Sequence, residues 1–321
     1  MSRTPSAAGV EAAWAAIPEV FRGTPQFVAE RLTRSLGVRT LVKVETVNPI
    51  RSFKGRGATW FTARRGAEVG PRDRGRGVGW VTGSAGNFGQ GLAWAARRAG
   101  IPLTVFSAVA ANPDKVAAMR ALGAEVRLEG ADFDAAKDAA RAHADETGAA
   151  FVEDGREPEI TEGAGTIALE CLEHPDPGDV AVIPVGNGAL IGGMSLWIRH
   201  RRPETTIVGV VAAGAPVMRR AWETGDPSPS REAPATCADG IAVREPVPAA
   251  VALMREVVDD VVVVGEPALR DAVRLLHETL GLVIEPAGAA GIAALIEHRE
   301  RFRDRRVFTP LCGGNADPAL L

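Results

Sequence analysis

The stretch "NPIRSFKGRGA" (48–58) places one lysine, Lys54, where it could act as a reactive amine. Phe53 precedes this lysine, and burial beside an aromatic ring disfavours the charged ammonium form. An uncharged lysine amine can attack a carbonyl group and hold it as a Schiff base. The residue types in this stretch therefore indicate a candidate nucleophile for a carbonyl compound.

A second stretch, "VIPVGNGALIGGM" (182–194), could bind a phosphate group. Its small residues lie between a predicted strand and a predicted helix, where backbone N–H groups can close around an anion. The stretch lacks the lysine of a nucleotide-binding P-loop and does not match G-x-G-x-x-G. A small phosphorylated cofactor is therefore the more economical ligand. The residues concerned are Gly186, Asn187, Gly188, Ala189 and Leu190.

A third stretch, "VTGSAGNFGQG" (81–91), could hold a carboxylate. Ser84, Ala85, Gly86 and Asn87 follow a predicted strand and precede a predicted helix. The hydroxyl of Ser84 and the neighbouring backbone amides can donate hydrogen bonds to a carboxylate, and the Asn87 amide can contact a ring hydroxyl. The alternative interpretation is an ordinary N-cap, because Ser and Asn are common immediately before a helix.

The pattern of the whole chain predicts an α/β fold with open, mostly parallel sheets. Short β-branched runs alternate with longer alanine-rich amphipathic runs. The segment "TGDPSPSREAP" (224–234) contains three prolines and predicts a surface loop. The segment "RRGAEVGPRDRGRG" (64–77) predicts either a hinge between lobes or a solvated turn. The runs that predict strands are 77–83, 102–108, 124–130, 179–186, 205–211, 259–265 and 306–314.

The composition argues against nucleic acid or a membrane as a partner. The 321 residues are 46% hydrophobic and 24% charged, with a net charge of −3, and the basic residues are scattered among acidic ones. No run reaches about 18 apolar residues, and the N-terminus has no apolar leader region. The cysteines at positions 171, 237 and 312 are widely spaced without a C-x-x-C pair, which favours a reducing cytoplasm over disulfides or zinc.

Six blocks, in their order along the chain, resemble the fold type II pyridoxal-phosphate enzymes, and most closely the serine and threonine dehydratases. The resemblance extends from about residue 24 to the C-terminus. It implies a two-lobed protein with a large cofactor-binding domain (1–76 and 155–321) and a small mobile domain (77–154), and it implies a homodimer. The blocks are "NPIRSFKGRGA", "TGSAGNFGQGLA", "PVGNGALIGG", "CADGIAVREP", "IEPAGAAGIAAL" and "LCGGN".

The resemblance implies a reaction and a role for each site residue. Lys54 matches the lysine that holds pyridoxal 5'-phosphate as a Schiff base and then takes the α-proton of an amino-acid substrate. The implied reaction is β-elimination from a β-hydroxy amino acid such as L-threonine or L-serine, which gives a 2-oxo acid and ammonia. The glycine-rich turn 186–190 would hold the phosphate, and Asn87 would contact the 3-hydroxyl group. Ser84, Ala85, Gly86 and Asn87 would bind the substrate, with its carboxylate at Ser84 and the neighbouring amides. Phe53, Glu285 and Cys312 would complete the cofactor site, with Cys312 at the pyridine nitrogen.

Four departures from the family pattern shape these expectations. Ala85 replaces a serine that acts as a second acid or base in the related serine racemases, so dehydration is favoured over racemisation. The turn "GNGA" (186–189) replaces "GGGG" and should bind the phosphate in a reshaped site. Val211 and Ala212 stand where many relatives have a cation-binding glutamate, so we expect no Mg²⁺ or Ca²⁺ site there, and we assign no metal ligands. Phe88 replaces a histidine and indicates a less polar substrate side chain.

Other functions and roles remain open from the sequence. A β-replacement enzyme or an amino-acid racemase could use the same fold on an unusual amino acid. A non-catalytic cofactor-binding protein is less favoured, because Lys54, Ser84 and Asn87 are all present. Glu285 could simply begin a helix before Pro286. Arg51 and Arg56 could contact a carboxylate or pair with acids on the other lobe.

Overall fold

Short strands, most of them buried, build the core of the protein. The computed structural model describes residues 3–70, 73, 75 and 78–316. All seven predicted runs overlap an observed strand, and the strands at 26–28, 39–44 and 150–151 were not predicted. The strands are β1 (Gln26–Val28), β2 (Arg39–Val44), β3 (Trp80–Gly83), β4 (Leu103–Ser107), β5 (Glu125–Leu128), β6 (Ala150–Phe151), β7 (Val180–Pro184), β8 (Thr206–Ala212), β9 (Asp260–Val264) and β10 (Arg306–Leu311).

These strands form two sheets. The larger sheet has six strands in the order β1-β2-β10-β7-β8-β9, and the smaller has four in the order β5-β4-β3-β6. Only the pairing of β1 with β2 is antiparallel among the described strands. The expected α/β architecture with mainly parallel sheets is confirmed. Because parallel strands end at the same edge of a sheet, the turns that follow β7 and β10 lie at one edge.

Helices fill the connections between the strands. The helix α3 begins at Lys54 and packs against both α4 and α7, while α7 also packs against α8. The helices are α1 (Ala7–Ala16), α2 (Glu30–Leu36), α3 (Lys54–Arg65), α4 (Asn87–Ala99), α5 (Pro113–Ala121), α6 (Phe133–Thr147), α7 (Pro158–Glu173), α8 (Ala189–Arg201), α9 (Val217–Thr224), α10 (Pro248–Val257), α11 (Glu266–Leu280), α12 (Pro286–Glu297) and α13 (Arg299–Phe302). No helix among the described residues is long and apolar enough to cross a membrane.

A buried ionic network lies behind the first turn of α3. The Arg56 guanidinium is fully buried and donates to both oxygens of Glu45 at 2.8 and 2.9 Å, and to Glu170 at 2.7 Å. Lys43 pairs with the second oxygen of Glu170. Burial acts to raise the pKa of Glu170, but the charges of Arg56 and Lys43 outweigh it and lower this pKa.

This network settles the role of Arg56. Glu45 directly follows β2 of the six-stranded sheet, and Glu170 lies in α7. Arg56 therefore pairs with acids, as one of the two expectations had it, but these acids lie at the six-stranded sheet and its helix α7. Arg56 does not line the cavity described below. Arg51 does not line the cavity described below; it is exposed and has a φ angle of 52°.

Two further sequence predictions concern loops. The predicted loop 224–234 begins at the last residue of α9 and is otherwise irregular and mostly exposed, so the surface loop is confirmed from residue 225 onward. Of the predicted hinge 64–77, residues 64 and 65 end α3, while residues 71, 72, 74, 76 and 77 lie outside the described part of the chain. The hinge and the two-domain division stay predictions.

Candidate active site

A cavity of about 300 Å³ is lined by residues that follow strands of both sheets. Every residue that the sequence nominated for the site lines this cavity, although the roles given to them stay predictions. Phe88 also lines it. The nominated residues are Phe53, Lys54, Ser84, Ala85, Gly86, Asn87, Gly186, Asn187, Gly188, Ala189, Leu190, Glu285 and Cys312.

The position of Lys54 is fixed by the end of β10. The Phe53 N–H donates to the Cys312 carbonyl at 3.0 Å, and Ser52 forms an isolated bridge with Gly313. These contacts place the first residue of α3 at the mouth of the six-stranded sheet. Lys54 therefore enters the cavity from a rigid helix start, which holds its Cα in place while the side chain reaches the ligand space.

The Lys54 ammonium contacts an acid and two aromatic rings. Its Nζ donates to Asp154 Oδ2 at 2.6 Å and lies 4.6 Å from the Phe53 ring centre and 5.9 Å from that of Phe88. The side chain of Lys54 is 16% exposed. The apolar surroundings expected from Phe53 are present, but no sequence pattern indicated the carboxylate partner Asp154.

The glycine-rich turn follows β7 and leads directly into α8. Gly188 occupies the N-cap position with a φ of 94°, and no side chain caps this helix start. A Cβ at Gly188 would lie 2.7 Å from the Ala250 Cβ, so a larger residue does not fit. A helix start without a side-chain cap presents backbone N–H groups and a positive dipole end, which suits an anion such as phosphate.

The loop that carries Asp154 packs against this glycine-rich turn. Gly155 has a φ of 86°, and a Cβ there would lie 2.3 Å from the carbonyl oxygen of Asn187. Only glycine allows the two backbones to approach so closely. The packing therefore holds Asp154 next to both Lys54 and the candidate phosphate site.

The turn after β3 uses Ser84 as an internal cap. Ser84 Oγ accepts hydrogen bonds from the N–H of Gly86 at 3.2 Å and of Gly89 at 2.8 Å. The N-cap interpretation is therefore correct in part, because the oxygen stabilises the start of α4. The hydroxyl hydrogen remains a donor for a ligand carboxylate, so the two roles are compatible.

Asn87 is oriented by two side chains from the C-terminal part of the protein. Its Nδ2 donates to Glu285 Oε1 at 2.5 Å, and its Oδ1 accepts from Asn315 Nδ2 at 2.7 Å. Asn315 also donates to the Ile50 carbonyl at 2.9 Å. The second Nδ2 hydrogen of Asn87 is left to donate to a ring hydroxyl or its oxyanion. Asn315 stands in the quoted block "LCGGN" but had not been nominated.

Glu285 faces the cavity and does not cap its helix. It occupies the N-cap position of α12 before Pro286, without a hydrogen bond from its side chain to the helix start. Burial raises its pKa to about 7, Lys115 acts to lower this pKa, and Asp239 acts to raise it. Lys115 forms an ion pair with Asp239 at 2.5 Å and lies 3.9 Å from Glu285. The side chain therefore titrates near neutral pH inside the site.

Cys312 presents an uncharged thiol to the cavity. Burial raises its pKa well above the ordinary value, and nearby Glu45 and Glu285 raise it further. The thiol donates to the Pro310 carbonyl at 3.4 Å. A group that stays neutral across the physiological pH range suits a pyridine nitrogen that is not protonated.

Several lining residues were missed by sequence reasoning. Asp154 follows β6, and Lys115 lies in the first turn of α5 after the N-cap Asn112. Position after a parallel strand was the available signal for Asp154, but β6 has only two residues and was not predicted. Asp132, Phe133 and Asp134 also line the cavity. Asp134 is neutralised by Lys137 at 3.2 Å and by Arg244 at 3.0 Å.

The departures noted in the sequence have clear positions in the fold. Ala85 and Phe88 line the cavity, so a methyl group and a phenyl ring occupy those parts of its wall. Val211 and Ala212 are fully buried in β8 and offer no side-chain oxygen. Within the described residues, no group of three or more His, Cys, Asp or Glu side chains could hold a metal ion.

Comparison with known proteins gives matches over nearly the whole chain. The family model described as "Pyridoxal-phosphate dependent enzyme" matches residues 17–313. An L-threonine ammonia-lyase from Thermotoga maritima is 37% identical over 290 residues, which cover 90% of this chain and 70% of the relative.

Solved structures match the fold equally well. The processed form of threonine deaminase isoform 2 from Solanum lycopersicum superimposes with a TM-score of 0.87 at 27% identity, covering 100% of this chain and 94% of the other. A threonine deaminase from T.th. gives a TM-score of 0.83 at 31% identity, covering 98% of this chain and 99% of the other.

Proposed function

Because the chain belongs to the pyridoxal-phosphate dependent enzyme family, we propose that it is an ammonia-lyase of the threonine or serine dehydratase kind. It acts on a β-hydroxy amino acid, removes water by β-elimination, and yields a 2-oxo acid and ammonia. The observation that carries this proposal is the convergence of Lys54, the carboxylate-sized turn 84–87 and the glycine-rich turn 186–190 on one cavity.

The residues of the cavity fit pyridoxal phosphate. The helix start at Gly188 is shaped for an anion, because Ala250 excludes a side chain at that position and no side chain caps α8. Lys54 would carry the covalent link, Asn87 would contact the ring hydroxyl, and the neutral Cys312 thiol would lie by the pyridine nitrogen. When bound, pyridoxal phosphate draws electrons from the attached amino acid and makes its α-proton removable.

Lys54 acts as the base on the substrate. Once its amine is displaced by the amino group of the substrate, Nζ is free to take the proton from Cα. The helix start and the hydrogen bond to Asp154 restrict where this amine can lie. Such positioning is a large part of what an enzyme contributes to a proton transfer.

The turn 84–87 binds and orients the substrate carboxylate. The Ser84 hydroxyl hydrogen and the adjacent backbone amides are its donors. Ala85 has no group that can hold a proton, so no second base stands at that position of the wall. This arrangement supports elimination with a single base and argues against racemisation.

The charge of the cavity argues against a substrate with an acidic side chain. Among the described residues that line it, the basic ones are Lys54 and Lys115, and Lys115 is paired with Asp239. Lys54 holds the cofactor and acts as the base, so neither lysine is available to bind a second carboxylate on the substrate. The phenyl ring of Phe88 adds apolar surface, which suits L-threonine or L-serine.

We also propose a homodimer in the cytoplasm. The family resemblance supports the dimer, and static light scattering of the purified protein at micromolar concentration tests it. The three free cysteines, none of them in a disulfide, support a reducing compartment. Fractionation of the native cells, with immunodetection of the chain, tests the location.

The experiment that tests the proposed function measures ammonia and 2-oxo acid from L-threonine, L-serine and their β-substituted analogues. The cofactor-loaded chain should release both products in equal amounts, and Lys54→Ala should release neither. Borohydride reduction followed by peptide mapping should place the cofactor on Lys54, which is one of only four lysines, with Lys43, Lys115 and Lys137 as internal controls. A loaded wild-type chain that releases neither product from any of these amino acids would refute the proposal.

A further inference from the structure

Asp154 stands out among the acids of the cavity because its partner is the reactive lysine itself. Asp154 is 9% exposed and lines the cavity. Its Oδ2 accepts from Lys54 Nζ at 2.6 Å, and its buried Oδ1 has no hydrogen-bond partner in the described structure. The proposed reaction uses the hydrogen bond of this carboxylate to Lys54, but it has given no role to its charge.

The fold directs this side chain toward the lysine. Gly155 packs on the carbonyl of Asn187, which fixes the loop after β6 against the glycine-rich turn. The preceding acid, Glu153, points elsewhere, because its carboxylate accepts from Arg141 at 2.8 Å and lies 3.6 Å from Lys137. Adjacent acids of one loop therefore have separate partners, and only Asp154 contacts the site.

A buried carboxylate at hydrogen-bond distance from an amine favours the protonated amine. The same carboxylate restricts the rotation of Nζ, so the lone pair has a defined direction. In hydrolases with a Ser-His-Asp triad, an acid stabilises the cation that its neighbour becomes when it accepts a proton. The Lys54 and Asp154 pair has the geometry for the same relationship between a lysine base and an aspartate.

We propose that Asp154 is a positioning residue that orients the Lys54 amine and stabilises the ammonium formed when Lys54 takes the α-proton. This inference rests on the proposed function and adds a residue to it. The Asp154 Oδ2 lies within hydrogen-bond distance of Lys54 Nζ, and its Oδ1 has no other partner in the described structure.

Lys54 alone carries the proton from Cα to the leaving oxygen. The Nζ lone pair takes the α-proton, and the electron pair of the Cα–H bond forms the Cα=Cβ bond. The Cβ–O bond breaks with its electron pair on oxygen. The proton on Lys54 then passes to that oxygen, water leaves, and the amine is restored beside an unchanged Asp154 carboxylate. The released enamine takes up water and yields the 2-oxo acid and ammonia.

The decisive experiment compares Asp154→Asn with the wild type in the loaded, full-length protein. Asparagine keeps the shape of the side chain and removes its charge. We expect kcat for L-threonine to fall by about a hundredfold, in the range typical of acid–base groups, while KM and cofactor content change little. The exchange of the L-alanine α-proton in D₂O, followed by NMR, should slow by a similar factor, because L-alanine has no leaving group and reports on the base alone.

Two companion variants separate positioning from structure. Asp154→Glu keeps the carboxylate and should recover part of the exchange rate. Glu153→Gln removes a carboxylate from the same loop without touching Lys54 and should leave the exchange rate within a factor of about two, as expected for a group outside the site. Unchanged exchange in Asp154→Asn would overturn the proposal, as would an equal slowing in Glu153→Gln.

A readout without the cofactor tests the contact directly. In the cofactor-free full-length chain, Lys54 should react faster with an amine-directed reagent at pH 7 in Asp154→Asn than in the wild type, because Nζ loses its ionic partner. Equal rates would contradict the pairing. The role of Asp154 and the proposed function can fail separately. A wild type that exchanges the L-alanine proton but does not deaminate L-threonine would refute only the proposed substrate.

Discussion

Glu285 accepts a hydrogen bond of 2.5 Å from Asn87, which joins the start of α12 to the start of α4 inside the cavity. The two residues are 198 positions apart in the chain. Burial raises the pKa of this carboxyl group from its ordinary value of 4.5 to about 7. This hydrogen bond therefore links two distant segments of the chain. The carboxyl group that accepts it changes its protonation near neutral pH.

Stability should depend on pH through Glu285. Between pH 4.5 and 7 the folded protein binds a proton that the unfolded chain has released, so the stability contributed by this group falls as pH rises through that window. Each pKa unit corresponds to about 1.4 kcal/mol, so the loss is on the order of 3 kcal/mol. The side chain introduced by Glu285→Gln does not titrate. The unfolding free energy of this variant minus that of the wild type should therefore rise from pH 4.5 to pH 7, as measured by denaturant titrations of the cofactor-free protein.

The groups around Glu285 determine the sign of this prediction. Burial is the largest influence on its pKa and raises it, whereas Lys115 and Lys54 act to lower the pKa and Asp239 acts to raise it. A difference for Glu285→Gln that falls with rising pH would show that the carboxyl group is ionised more readily in the folded state.

Removing Arg56 should destabilise the fold without touching the site. Arg56→Met leaves the Glu45 and Glu170 carboxylates buried without their guanidinium partner, and broken buried pairs cost about 3–5 kcal/mol. Adding Glu45→Gln to Arg56→Met should recover part of that loss. Urea unfolding at neutral pH measures both variants.

A matched control lies on the same helix. Arg64 is exposed, with its guanidinium 5.4 Å from the Trp60 ring centre, and Arg64→Met should cost about 1 kcal/mol or less. Equal destabilisation by Arg56→Met and Arg64→Met would mean that the buried network contributes nothing beyond helix packing.

Much of the fold and of the cavity lining could be predicted from sequence because both depend on local patterns. Strand runs and glycine-rich turns are local, and parallel strands bring the turns that follow them to one edge. The strand β2 was missed because Lys43 interrupts its apolar pattern. That lysine is 1% exposed and is neutralised by Glu170, a residue 127 positions away.

The unpredicted part of the site depends on pairs that are distant in sequence. Asp154 meets Lys54 across 100 positions, and Asn315 meets Asn87 across 228. Asp154 does not differ by type or local pattern from an ordinary loop residue, and the block "LCGGN" does not by itself give Asn315 a role. Their functions follow only when the sheets bring strand ends together, so a single sequence could name Lys54 and Asn87 but not the side chains that orient them.

The glycine-rich turn 186–190 should be intolerant of a methyl group at Gly188. The φ of 94° is strained for any other residue at a cost of about 1–2 kcal/mol, and the added Cβ would meet Ala250 at 2.7 Å. Gly188→Ala should therefore bind pyridoxal phosphate at least tenfold more weakly, as measured by absorbance titration. Gly281→Ala is the matched control, because Gly281 has a φ of 67° and its added Cβ would meet nothing within 4 Å. It should lose stability but retain cofactor affinity, and a comparable loss of affinity in both variants would exclude a specific role for Gly188.

Asn315 should contribute to cofactor binding although the sequence pattern did not nominate it. Its amide holds Asn87 Oδ1 at 2.7 Å, so that Asn87 Nδ2 is directed toward Glu285 and the cavity. Asn315→Ala removes this restraint and allows the Asn87 amide to turn over. The loss of one oriented hydrogen bond is worth about 1–1.5 kcal/mol, which corresponds to about a tenfold weaker affinity for pyridoxal phosphate.

The control for Asn315 is an asparagine with a purely structural contact. Asn112 caps α5 by accepting from Asp114 N–H at 2.9 Å, and Asn112→Ala should lower stability by about 1 kcal/mol. Equilibrium titration of each cofactor-free variant with pyridoxal phosphate, combined with urea unfolding, separates the two effects. Weaker binding in Asn315→Ala alone would identify its role as orientation of Asn87. Weaker binding in both variants, in proportion to their lost stability, would instead mean that Asn315 acts only through the fold.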